Sequence, residues 1–103
     1  MQVHSFLHSD TETYTHVLAD VQQQVCAIID PVLDFDAKSG RTDTASVDKV
    51  IAFVREQGWA LVYIIETHAH ADHISAAIHV KETLGGKLVI GQHITEVQKI
   101  FKQ

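Results

Sequence analysis

Short apolar runs alternate with polar breaks along this chain, and the spacing within each run predicts its form. "VHSFLH" (3–8) and "TYTHVLA" (13–19) alternate in polarity and are rich in β-branched and aromatic residues. The polar "SDTE" between them predicts a hairpin. "VCAIID" (25–30) is continuously apolar until its final aspartate and is stopped by Pro31, which predicts a central strand buried on both faces. From Pro31 to Arg41 the composition is that of a loop. A helix should start near Asp43 or Thr44, both good capping residues. Val47, Val50, Ile51 and Val54 then fall on one helical face, and Gly58 ends the helix.

"WALVYIIE" (59–66) reads as a second buried strand. "ISAAIHVKETL" (74–84) reads as a helix with Ile74, Ala77 and Ile78 on one side, stopped by Gly85 and Gly86. "KLVI" (87–90) is a short strand and "ITEVQKIFKQ" (94–103) a last helix. The predicted order is β-β-β-α-β-α-β-α. Its first half is antiparallel, and its second half is built of βαβ units with right-handed crossovers.

The chain's 103 residues fit a single domain spanning 1–103. With 46% hydrophobic and 20% charged residues it has the composition of a globular protein. A net charge of −5 disfavours nucleic acid and anionic membranes as partners. The N-terminus lacks a basic region followed by an apolar run, so no signal peptide is expected. No apolar stretch approaches the roughly 18 residues of a membrane helix. The single cysteine, Cys26, sits in an apolar strand and is expected to be a small buried residue. A soluble, cytoplasmic protein is the expectation.

Eight histidines are many for this length, and three of them fall in "THAHADH" (67–73), just after an apolar strand and before a helix. Ligands bind beyond the carboxyl ends of strands in open sheets with βα connections. His68 and His70 are two apart, so in extended backbone both imidazoles point the same way and can reach one ion. Asp72 and His73 follow where the chain turns into the helix, within reach of a neighbouring position. Imidazoles and a carboxylate with no nearby cysteine suit zinc or iron. Zinc-bound water ionises near a pKa of about 7 and supports hydrolysis, whereas an open two-histidine, one-carboxylate site on iron(II) supports oxygen chemistry.

"THAHADH" in this setting resembles the signature of the metallo-β-lactamase superfamily, and "VCAIIDP" resembles that fold's early strand. Within the superfamily, "THAHADHISAA", "LGGKLVIG" and "ITEVQKIF" are most similar to the branch of persulfide (sulfur) dioxygenases, β-lactamase-hydrolase-like proteins and glyoxalase II. The resemblance implies an α/β (α+β) chain forming the N-terminal half of an αββα sandwich. It implies His68 and His70 at a first metal site and Asp72 and His73 at a second, with Asp72 also the candidate catalytic residue. In the hydrolase-like members both sites can be filled with zinc. In the persulfide dioxygenases one Fe(2+) is held, and only the position of His68 is a direct ligand. Asp30 would be a supporting residue.

The functions implied are oxidation of glutathione persulfide with one iron, or zinc-dependent hydrolysis of a glutathione thioester. Either substrate is a small thiol or thioester. The superfamily's remaining ligands come from a second half of the fold, so the chain is expected to be a truncated domain. A third reading is therefore a non-catalytic remnant that binds metal weakly. An uncovered sheet face of several hundred Å² forgoes roughly 10 kcal/mol of apolar burial at about 25 cal/mol per Å², so marginal stability or self-association through that face is expected.

The other histidines are read more plainly. His4, His8 and His16 are expected at surface or edge-strand positions, with a third ligand from His4 or His8 conceivable; His79 and His93 are not expected to be ligands. Trp59 and Tyr63 are read as packing residues, and the Asp34–Asp36 pair as a solvated loop.

Overall fold

The computed structural model of the chain describes residues 1–9, 11–36, 39–67 and 71–90, with side chains for all of these but 35, 36 and 71–75. Strands β1 (Gln2–His8) and β2 (Thr13–Asp20) form the predicted hairpin, and β3 (Val25–Ile29) pairs antiparallel with β2. A small ladder, β4 (Asp34–Asp36) with β5 (Arg41–Asp43), occupies the stretch expected to be a loop. Its polar residues conceal a strand pair of only three residues a side. Helix α1 (Ala45–Gln57), strand β6 (Ala60–Glu66), helix α2 (Ala71–Leu84) and strand β7 (Lys87–Ile90) complete the described elements. The last predicted helix, over 94–103, lies outside the described residues.

The main sheet has the order β1-β2-β3-β6-β7. β3 is its centre and pairs parallel with β6, which pairs parallel with β7. Cys26, Ala27 and Ile28 of β3 are fully buried, as a two-faced central strand requires. Cys26 is thus a core residue, and burial pushes its thiol up to about 11. β1, β3, β6 and β7 all run the same way, so their carboxyl ends share one edge of the sheet.

Helix α1 buries Val47, Val50, Ile51 and Val54, the predicted face. Gly58 closes it at φ 74°, a left-handed cap that glycine adopts at no steric cost. Helix α2 differs from expectation. Its buried face runs through Ala76, Ala77 and Val80, while Ile78 is 46% exposed and the side chain of Ile74 lies outside the described residues. Two adjacent alanines let the helix approach the sheet closely, which moves the packed stripe about a quarter turn from the bulkier isoleucine.

Both helices contribute to one core cluster, built on Val17, Ala19, Cys26, Ile28 and Ile64. Trp59 packs on its rim with Phe53 and His4. A second cluster, Ala27, Ile65 and Val89 with Tyr63 against it, lies on the opposite face. Neither described helix contributes to it.

Ile28 and Ile64 meet across the parallel pair at the centre of the first cluster, both with no exposed surface. Ile28→Ala should therefore cost about 2–5 kcal/mol in urea unfolding. Val3→Ala, on the exposed side of edge strand β1, should stay within about 0.5 kcal/mol. Equal costs at the two positions would contradict this core.

Candidate metal centre

The carboxyl edge of the sheet is organised by Asp30. This residue follows β3 with φ 55°, a left-handed conformation that costs a non-glycine residue about 1–3 kcal/mol. Hydrogen bonds hold it there. Its backbone N–H donates to the Ile65 carbonyl at 2.8 Å, extending the β3–β6 pairing by one rung. Its own carbonyl accepts from the Thr15 hydroxyl at 2.8 Å. The turned backbone aims its carboxylate at Thr67. Oδ1 accepts from the Thr67 N–H at 2.7 Å, and Oδ2 accepts from the Thr67 hydroxyl. Asp30 thus grips the residue immediately before His68 through both carboxylate oxygens.

Glu66 is the residue that sequence reasoning missed. It ends β6 and has no exposed surface. Burial raises its carboxyl pKa from the ordinary 4.5 to about 8, with the charge of Asp30 adding to the shift. At neutral pH Glu66 therefore holds its proton.

Two further polar links tie the elements around this edge. His8, only 6% exposed, sits between Thr11 Oγ1 at 2.7 Å from Nδ1 and Asp34 Oδ1 at 2.8 Å from Nε2. A carboxylate only accepts, so Nε2 donates to Asp34. Asp34 in turn accepts from the Ser46 N–H at 2.8 Å and the Ser46 hydroxyl at 2.6 Å, capping α1 in place of Thr44. Burial disfavours its charge, but the Ser46 and His8 hydrogen bonds outweigh that and hold its carboxyl below the usual range. Asp34 is therefore a structural cap and not a solvated loop residue. At the outer surface, His79 Nε2 lies 2.8 Å from Asp48 Oδ1 and joins α2 to α1.

His68 and His70 lie outside the described residues, as does His93. Asp72 and His73 fall in the first turn of α2, with their side chains outside the described set. The backbone on both sides of the cluster is described: Thr67 in its clamp, and α2 beginning at Ala71. Among the described side chains no three of His, Cys, Asp and Glu converge on a common point. The hairpin histidines form no such group. His8 has protein partners on both ring nitrogens, His4 bonds Gln2, and His16 bonds Ser5. His8 is on the edge strand as expected but is buried, because it faces α1 and not solvent.

The titration of Glu66 gives a stability signature. Between about pH 4.5 and about 8 the unfolded chain loses this proton while the folded chain keeps it. Folding stability should therefore fall as pH rises through that window, and Glu66→Gln should remove this component and stabilise the protein at pH 8. The depressed carboxyl of Asp34 acts below its ordinary 3.8, outside the window. Urea midpoints for both proteins across pH 4–9 check this; parallel pH profiles would contradict it.

The comparisons with known proteins accord with this geometry. The family model of the metallo-beta-lactamase superfamily matches residues 13–99. A protein named "Probable metallo-hydrolase" from Burkholderia pseudomallei is 48% identical over 98% of this chain and 34% of its own length. A beta-lactamase hydrolase-like protein of Xylella fastidiosa is 44% identical over 99% of this chain and 24% of its own length. A mitochondrial persulfide dioxygenase, ETHE1, of Bos taurus is 36% identical over 72% of this chain and 25% of its own. Among solved structures, ETHE1 from Myxococcus xanthus superposes with a TM-score of 0.67 at 28% identity, covering 85% of this chain and 34% of that one. The chain spans between about a quarter and a third of the length of these curated relatives.

Proposed function

The chain belongs to the metallo-beta-lactamase superfamily, and from that premise we propose that "THAHADH" is its contribution to the mononuclear iron site of a sulfur dioxygenase acting on glutathione persulfide. His68 is the direct iron ligand in this reading, with His70, Asp72 and His73 around it and Asp72 the candidate catalytic residue. The observation that carries the proposal is the Asp30 clamp on Thr67, which fixes the backbone one residue before His68 at the carboxyl edge of the sheet. The relation to persulfide dioxygenases of the ETHE1 type supports the choice of substrate.

The donor set fits iron(II). It consists of imidazoles and a carboxylate, and the one thiol of the chain, Cys26, is buried in the core and protonated. Iron bound there would supply the redox chemistry by which dioxygen oxidises a persulfide sulfur. The chain's own residues do the rest. Asp30 holds Thr67, the residue that precedes His68 in the sequence. Glu66 keeps its proton on a buried carboxyl, so it adds no charge to compete with the cluster. Helix α2 carries Asp72 and His73 in its first turn, and its Ala76–Ala77 face seats that turn on the sheet.

A second reading is a zinc-dependent thioester hydrolase of the glyoxalase II type, with His68 and His70 at one zinc and Asp72 and His73 at another. The metallo-hydrolase relative supports it. The cytoplasm is the compartment proposed for either activity; no described helix is long and apolar enough to cross a membrane.

Metal stoichiometry and turnover together separate the readings. The proposal predicts one iron per chain, oxygen uptake on adding glutathione persulfide, and iron affinity reduced at least about tenfold in His68→Ala. Two zinc ions with cleavage of S-lactoylglutathione would select the hydrolase. Metal uptake without turnover on either substrate would select a weakly binding, non-catalytic chain. Uptake unchanged in His68→Ala would overturn all three.

A further inference from the structure

A cavity of about 330 Å³ opens between β1 and the first turns of α1, next to the Asp30 clamp. Its volume equals about ten heavy atoms at the roughly 30 Å³ that a water molecule takes in the liquid, which is small-ligand size. Phe6, Val32, Val47 and Val50 supply an apolar lining. Its polar members are largely committed to the protein. Nε2 of His8 donates to Asp34, the Thr15 hydroxyl to the Asp30 carbonyl, and the Ser46 hydroxyl and N–H to Asp34. Lys49 is the exception: it is an exposed residue at the cavity's open side, and among the described residues it forms no ion pair.

We propose that this cavity binds a small monocarboxylate, its short apolar body against Phe6, Val32 and Val50 and its carboxylate on the Lys49 ammonium. The chemistry follows from what the walls leave available. The apolar lining favours a hydrocarbon body. With the neutral donors already satisfied, the one group that gains by binding is a cation, and its partner is an anion. A dianion would bring a second charge for which the lining offers no second lysine or arginine. The site is separate from the histidine cluster, but Thr15 and Val32 flank Asp30 in space and sequence, so occupancy would be felt at Thr67.

Amide NMR of the full chain, titrated with hexanoate and in parallel with hexan-1-ol, tests this. Hexanoate should produce saturable shifts in the 46–50 segment, at Thr15 and at Thr67. Hexan-1-ol should bind about tenfold or more weakly, and Lys49→Met should weaken hexanoate by a similar factor. Val50→Phe, which fills the cavity, should abolish the shifts. Should that variant fail to fold, the Lys49→Met result decides. No saturable shift with hexanoate, equal binding of the alcohol, or indifference to Lys49→Met would overturn the proposal. His68→Ala should leave hexanoate binding unchanged, so failure here is distinct from failure of the metal reading. Loss of binding in that otherwise folded variant would place the carboxylate at the histidine cluster instead and also overturn it.

Discussion

The two-oxygen grip of Asp30 on Thr67 is the interaction on which the candidate site depends. It joins the central strand β3 to the exit of β6, at the rung after their last parallel pair. The grip works because Asp30 leaves the strand in a left-handed turn that an aspartate tolerates better than a branched residue would. Four backbone and side-chain bonds, one to Ile65, one to Thr15 and two to Thr67, offset that turn's strain. The sheet core beneath it, Ile28 against Ile64, is fully buried, and the segment proposed to bind metal follows Thr67 directly in the sequence.

The elements were legible where the pattern was long. The α1 stripe, the hairpin and the buried β3 run all follow from periodicity, because each has one clear face or none. The β4–β5 ladder escaped because three-residue strands of polar composition carry no period. Ile78 misled because hydrophobicity alone ranks it above Ala76 and Ala77, although small residues are what a close helix–sheet contact selects. The superfamily resemblance was legible in seven residues, and the family match over 13–99 accords with it.

Glu66 shows a subtler limit. Alternation counted from buried Leu61 would put Tyr63 and Ile65 on the helix side and Glu66 outside. The β3–β6 register skips Val62 between Cys26 and Ala27, so the faces exchange after the bulge. Ile64 then joins Leu61 in the helix-side cluster, and Glu66, two residues on, is buried with it. A bulge of one residue inside an apolar run leaves no trace in the hydrophobic pattern. Asp34 escaped for a similar reason: its partners, His8 and Ser46, come from distant parts of the chain.

The central claim is that Asp30 positions His68 for metal through Thr67. The most direct measurement is the iron(II) affinity of Asp30→Asn beside that of the parent chain, at a pH where both are fully folded. An asparagine keeps the shape, but its amide nitrogen cannot accept from the Thr67 hydroxyl as the second carboxylate oxygen does, so that contact must reverse or break and the charge-assisted grip is weakened. The account predicts affinity lower by about 10–100-fold, as for other residues that orient a metal ligand without touching the metal. Unchanged affinity in a folded Asp30→Asn protein would contradict it.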